Sequence, residues 1–346
     1  MNKRTLALLA WAFADAAAAQ HERPGQERPA IAAGVVSQDR YPERQVSFPG
    51  GVTGLPDLTY TSQLGFRPLK LDLYLPPQSS APHPFVVYVH GGGWLGGSPR
   101  TTAAFTDWPQ ALASLAARGY VVASVGYRLA GEAYFPAAIY DVRDALRWLR
   151  SQAGEYGIDK ERGLIWGSSA GGQLAALAAA SCGVRALDRP VQPDTSGHAE
   201  VEANQRPPPA TESACMQGAV VWYGVSDFTP LSNMPEANFF LGCRGGSDDG
   251  CAEKRRAASP LTYVNGNVPP FLIIHGEGDS VVPVEQARLL ADAIRTHKGK
   301  AELVLLPGVG HSFVGRAPRD TRAASLRAWE RTLAFIERTL GDGTQP

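Results

Sequence analysis

The chain has 346 residues, 44% of them hydrophobic and 19% charged, and its 33 Lys and Arg balance 33 Asp and Glu. That length and apolar content are enough for one large domain with a buried core. The even charge leaves no basic footprint for nucleic acid and no polybasic surface for anionic lipid, so neither partner is expected.

In chain order, Lys3 and Arg4 precede a short apolar run, Thr5 to Phe13, and the small residues Ala16 to Ala19 offer a cleavage site before Gln20. This is the layout of a secretory signal peptide (1–19), and the run is too short to span a bilayer. Secretion or a periplasmic location is therefore expected, with no membrane span. Residues 20–57 are rich in Pro, Gly and charge without sustained periodicity, and read as an arm lying over the surface or partly disordered. The main domain is expected over 58–342.

Leu69, Leu71, Leu73 and Leu75 alternate with Lys70, Asp72 and Tyr74, the period-two pattern of a half-buried strand. Phe85 to Val89 is apolar on both faces, as in a central parallel strand. Further short buried strands are predicted at Tyr120 to Val125, Leu164 to Trp166, Ala219 to Tyr223, Phe271 to Ile274 and Leu303 to Leu306. Between them, Leu112 and Leu115 belong to a helix stopped at Gly119. Ile139, Val142, Leu146 and Leu149 mark the buried stripe of another, and Ala323 to Leu340 supplies a terminal one. Strands separated by helices give an α/β fold, a mostly parallel central sheet flanked by helices on both faces. Residues 182–216 and 227–262 interrupt the rhythm as irregular insertions, long enough to serve as cover loops.

Four cysteines, Cys182, Cys215, Cys243 and Cys251, follow the leader. In an oxidising compartment they can form two disulfides in three pairings, of which sequence order favours Cys182–Cys215 and Cys243–Cys251. No C-x-x-C spacing supports zinc or thioredoxin-like redox chemistry.

Gly167-Ser168-Ser169-Ala170-Gly171 fits G-x-S-x-G, a weak pattern alone, but a buried strand runs into it and a small-residue helix runs out. In that setting the glycines permit a sharp turn that exposes the hydroxyl of Ser169 at the top of the sheet. His90-Gly91-Gly92-Gly93-Trp94 follows the strand ending at Val89 and is a much rarer pattern. Its glycines let main-chain amides face a ligand, so Gly92 and Gly93, with Ala170, are the expected oxyanion hole. His90 is expected to brace the loop rather than act as a base.

A serine nucleophile needs a base and an orienting carboxylate. Of the seven histidines, His21 and His83 precede the strands that carry the motifs, His198 lies in an insertion, His275 ends a strand and His297 ends a helix. His311 remains, on a Gly-rich loop after the last strand. Asp279, in Gly276-Glu277-Gly278-Asp279-Ser280, lies between serine and histidine on a loop after a strand, with Asp227 and Glu277 as rivals. Trp94, Trp222, Tyr223 and Phe313, with Phe239 and Phe240 behind them, are candidates to line an apolar pocket. This chemistry requires no cofactor and no metal.

The set H-G-G-G-W, Tyr127-Arg128-Leu129, F-P-A-A with Asp141 and Arg147-Trp148-Leu149, G-S-S-A-G-G, G-E-G-D-S-V-V-P and G-V-G-H-S-F resembles the bacterial carboxylesterases related to hormone-sensitive lipase. It is most similar to their feruloyl-esterase-like branch, over about residues 58 to 340. The resemblance implies the α/β-hydrolase fold and ester hydrolysis through Ser169, His311 and Asp279. It further implies small or polysaccharide-linked esters with short or aromatic acyl groups as substrates. After Leu129 the chain reads Ala130-Gly131-Glu132, without the proline common in the lipase-like branch, which favours the feruloyl-esterase-like side. The insertion at 182–216 is longer than the resemblance leads one to expect. A peptidase or amidase on the same fold, and a non-catalytic binding protein, are the other classes compatible with these motifs. Oligomeric state is not specified by a net charge of zero.

Overall fold

The computed structural model describes residues 44–63, 66–78, 81–190, 211–243 and 250–341. The expected leader, most of the arm and the centre of the 182–216 insertion lie outside the described residues. Among the described residues, nine strands form one sheet: β1 (Val46–Phe48), β2 (Val52–Thr61), β3 (Leu69–Leu75), β4 (His83–Val89), β5 (Val121–Val125), β6 (Ile158–Ser168), β7 (Gly218–Trp222), β8 (Phe271–Gly276) and β9 (Ala301–Leu306). They are accompanied by helices α1 (Trp108–Ala116), α2 (Ala137–Ser151), α3 (Ala153–Tyr156), α4 (Ala170–Ala180), α5 (Pro235–Leu241), α6 (Cys251–Ala258), α7 (Glu285–Thr296) and α8 (Pro318–Leu340).

The strand order is β1-β2-β3-β5-β4-β6-β7-β8-β9. From β5 to β9 every neighbouring pair is parallel, whereas β1, β2 and β3 are added antiparallel at one edge. Alternate residues of the central strands serve opposite faces. Phe85, Val87 and Val89 of β4 join α2, α4 and α7 in one core, while Val86 and Tyr88 join α1 and α8 in the other. This is the α/β-hydrolase fold.

Three expectations are revised. Residues 46–57, read as part of an arm, include β1 and the start of β2. Backbone pairing of β1 with β2 and of β2 with β3 recruits them, and β2 carries register shifts between Leu55 and Leu58 and between Thr59 and Thr61 that hide its period. β3 is not half-buried: Asp72 and Tyr74 are covered as well as the leucines, because Arg100 grips Asp72 and Phe48 lies 5.6 Å from the Tyr74 ring. The 227–262 connection is not wholly irregular, since it contains α5, α6 and two short 3-10 turns.

The cysteines pair as Cys182–Cys215 and Cys243–Cys251, with Cα separations of 5.0 and 5.8 Å. The first closes the base of the 182–216 insertion, and the second joins the end of α5 to α6. No described helix is long and apolar enough to cross a membrane.

The chain leaves β4 for β5 on one side and then crosses back over β4 to β6. That reversal puts a crevice at the carboxyl ends of β4 and β6, the place where open α/β sheets bind ligands. The glycine run follows β4, and Ser169 follows β6.

Candidate active site

Ser169 occupies the turn between β6 and α4 with φ 52° and ψ −120°, a conformation that L-residues adopt only when their surroundings enforce it. Its amide donates to the Trp222 carbonyl at 2.9 Å, tying the turn to β7. The flanking glycines are sterically required. A Cβ on Gly167 would run into the Gly171 carbonyl, and one on Gly171 into the carbonyls of Val89 and His90. The sharp turn therefore depends on Gly-x-Ser-x-Gly and on the close passage of β4.

The hydroxyl of Ser169 lies 3.0 Å from His311 Nε2, and His311 Nδ1 lies 2.8 Å from Asp279 Oδ2. With the carboxylate accepting at Nδ1–H, Nε2 is the free acceptor facing the serine. Asp279 Oδ1 accepts from the amides of Val281 and Val282, each at 2.9 Å. Burial alone would raise the Asp279 pKa, but hydrogen bonds from His275 and His311, the His311 charge and the Val282 amide outweigh it. Together they hold the carboxyl well below the usual carboxylate range. Asp227, the rival acid, instead caps its own turn, accepting from the Thr229 amide at 2.8 Å. Glu277 is exposed.

His275 was set aside in the sequence as the end of a buried strand. It is fully buried, and its Nε2 lies 2.9 Å from the Val282 carbonyl and 3.2 Å from Asp279 Oδ2. Both neighbours accept, so Nε2 carries the proton and reaches the same Asp279 oxygen that His311 holds; Nδ1 has no partner among the described residues. Its only sequence signal is its position four residues before Asp279.

The glycine run folds against the serine. A Cβ on Gly91 would lie 2.8 Å from the Ser168 carbonyl and 3.2 Å from the Ser169 Cβ. Gly92 and Gly93 take φ 121° and 61°, and the Gly92 carbonyl accepts from the amides of Leu95 and Gly96 at 3.1 Å each. Among the described residues, none accepts from the amides of Gly92, Gly93 or Ala170. His90 braces this loop. Its Nδ1 donates to the Gly91 carbonyl at 2.8 Å, its ring stacks on Tyr127 at 4.5 Å, and the Tyr127 hydroxyl donates to the His90 carbonyl at 3.0 Å. Burial pushes the His90 imidazole down to about 4, so it is neutral at pH 7.

The four aromatic residues expected to line a pocket are all buried side chains. Trp94 anchors the loop from below, donating to Gln173 Oε1 at 3.0 Å and stacking on Phe240 at 4.7 Å. Trp222 belongs to the α8-side core, its indole donating to Thr332 at 3.0 Å, and Phe313 packs edge-on against it at 5.3 Å. Tyr223 is nearest to the site, edge-on to His311 at 4.9 Å. Packing against the sheet satisfies these rings more fully than a solvent-facing wall would. Phe240 is buried likewise, and Phe239 is exposed beside Tyr134. A cleft of about 830 Å³ borders Gly278, Val309, Gly310, Arg316 and α8, but Ser169 and the glycine run are not among its walls.

Residues 71–294 match the BD-FAE family model. Among curated proteins, esterase LipC of Mycobacterium tuberculosis is 34% identical over 237 residues, 67% of this chain and 53% of its own. Esterase LipQ of the same organism is 32% identical over 239 residues, 66% of this chain and 50% of its own. The chain thus spans about half the length of these curated relatives. Among solved structures, the native form of esterase 2 from Thermogutta terrifontis superposes with a TM-score of 0.62 at 25% identity, covering 83% of this chain and 94% of that one. An α/β-hydrolase fold over the described residues and a family match across most of its central sheet lead to one assignment: the chain belongs to the BD-FAE family.

Proposed function

We propose that this protein is a secreted serine hydrolase of carboxylic esters that acts through a Ser169–His311–Asp279 triad. The observation that carries the reading is the continuous hydrogen-bonded chain from the Ser169 hydroxyl through His311 to the buried Asp279, set beside three amides without acceptors among the described residues. Ser169 Oγ attacks the ester carbonyl while His311 Nε2 takes its proton. Asp279 keeps the imidazole in the Nδ1–H tautomer and stabilises the imidazolium that forms. The oxyanion is received by the amides of Gly92, Gly93 and Ala170, a kind of donor whose loss typically costs about 3 to 4 kcal/mol of barrier. The C–O bond breaks as His311 returns the proton to the leaving alcohol. Water, activated in the same way, then releases the acid from Ser169.

The names of the relatives support ester hydrolysis, and the feruloyl-esterase-like motifs favour short or aromatic acyl groups, free or linked to polysaccharide. Two disulfides suit an oxidising compartment and agree with export by the leader. The test is turnover of p-nitrophenyl esters from acetate to decanoate, methyl ferulate and a p-nitroanilide by the wild type and by Ser169→Ala. Ester turnover that vanishes in the variant supports the reading, and the acyl profile names the substrate. Turnover of the anilide alone would transfer the reading to an amidase.

A further inference from the structure

The glycine run is flanked by α5, and one charged side chain of that helix lies against it. A Cβ on Gly93 would stand 3.7 Å from Glu236 Cγ and 3.9 Å from Glu236 Cβ, so the carboxylate begins one bond beyond van der Waals contact with the loop. Contacts along α5 fix it in this place. Phe240 stacks on Trp94 at 4.7 Å, its carbonyl accepts from the Phe135 amide at 2.8 Å, and the Cys243–Cys251 disulfide ties the end of the helix to α6. Asn238 donates to the Ser232 carbonyl at 2.6 Å and accepts from Arg255 at 3.0 Å.

Glu236 is exposed, and among the described residues no ion pair or hydrogen bond holds its carboxylate. Charged groups on nearby segments are engaged elsewhere. Arg67 pairs with Glu132 at 2.6 Å, Arg128 pairs with Asp141 at 2.8 Å, and Arg255 turns to Asn238. An unpaired carboxylate therefore sits beside the amides of Gly92 and Gly93 that would receive the oxyanion. An acidic residue in the first turn of a helix also favours the helix dipole. That role does not require the side chain to lie against Gly93, and it predicts no dependence on the charge of a substrate.

We propose that Glu236 selects substrates by charge: it disfavours esters that carry a negative charge near the scissile carbonyl and favours neutral and, above all, cationic ones. The proposal rests on the triad reading. From its contact with Gly93 the carboxylate comes within about 8 Å of the oxygen those amides would receive, close enough for one charge to change the rate for another about five-fold. Salt screens such an exposed charge, so the preference should weaken as ionic strength rises. Repulsion of the oxyanion itself is common to every ester, so the test is a ratio between substrates rather than a single rate.

The measurement is kcat/KM for three acetates: acetylcholine, its neutral carbon isostere 3,3-dimethylbutyl acetate, and the anionic 4-acetoxybenzenesulfonate. All three form the same acetyl-enzyme, so differences in kcat/KM belong to the acylation step. In Glu236→Gln the acetylcholine value relative to the isostere is expected to fall about five-fold, and the sulfonate value relative to the isostere to rise about five-fold. Both shifts should shrink in about 0.5 M salt. Glu236→Lys should move both ratios further in the same directions. Glu330→Gln, which removes an exposed carboxylate on α8, should leave both within about two-fold of wild type. Ratios in Glu236→Gln within about two-fold of wild type would overturn the proposal, as would an equal change in all three values, which would mark a general effect of the helix. The same shifts in Glu330→Gln would also overturn it, by assigning the preference to net charge. Full turnover by Ser169→Ala would remove the nucleophile reading and the charge selection with it. An inactive Ser169→Ala beside unaltered ratios in Glu236→Gln would remove the charge selection alone.

Discussion

His90 shows how much of the candidate site rests on a residue that the proposed mechanism does not use. Its neutral imidazole supports the glycine run through one hydrogen bond and one stacked ring. Because its pKa falls from 6.5 to about 4 on folding, the unfolded chain takes up a proton below pH 6.5 before the folded chain does. The associated stability is fully present above about pH 6.5 and is lost as pH falls through about 4, a total of about 3 kcal/mol at the usual conversion per pKa unit. His90→Gln should therefore flatten the dependence of urea-unfolding free energy on pH between 7 and 4, and an unchanged slope would contradict this account of the loop. Ser169, His311, Asp279 and the glycine run were legible in the sequence because each sits in a short local pattern after a strand. His275 was not, since its contact with Asp279 depends on how the loop after β8 folds back on that strand. The burial of the four aromatic residues was not legible, because an aromatic in a short motif does not reveal which neighbours cover it.

α2 carries an unusual load for a helix against a sheet. Its apolar stripe was visible as a period of three and four, but Asp141, Arg143, Asp144, Arg147 and Arg150 are buried as well. Arg128 and Arg189 bind Asp141 at 2.8 and 2.6 Å, and Arg189 also binds Asp144 at 2.6 Å. Asp188 is held by Arg143 and Arg147, and Arg150 donates to the carbonyls of Lys160, Ser213 and Cys215. Asp188 and Arg189 come from one end of the 182–216 insertion and Ser213 and Cys215 from the other, so a charged face that looks solvated in one dimension becomes the socket holding that insertion's base. Arg189→Ala leaves two buried carboxylates short of a partner and is expected to cost about 3 to 5 kcal/mol. Lys160→Ala breaks a surface pair with Glu212 and should cost less than about 1 kcal/mol. Chemical denaturation of the two variants checks the contrast, and equal losses would refute the socket.

Across the whole molecule, parallel β-α alternation was readable because each central strand is a short apolar run bounded by turns. The antiparallel edge was not: β1 draws its order from pairing with β2, and β2 from pairing with β3, and no local apolar period announces them. The reversal of strand order at β4 is what brings the glycine run beside Ser169, while the loops after β8 and β9 bring Asp279 and His311 to the same end of the sheet. The most direct test of this convergence is a fluorophosphonate reaction followed by intact-mass and peptide mass spectrometry on the wild type, Ser169→Ala and His311→Ala. The account predicts one adduct per chain, on Ser169, absent in Ser169→Ala and formed at least about 100-fold more slowly in His311→Ala, the scale on which a positioned general base contributes. An adduct on another residue, or labelling of Ser169 at an undiminished rate without His311, would contradict it.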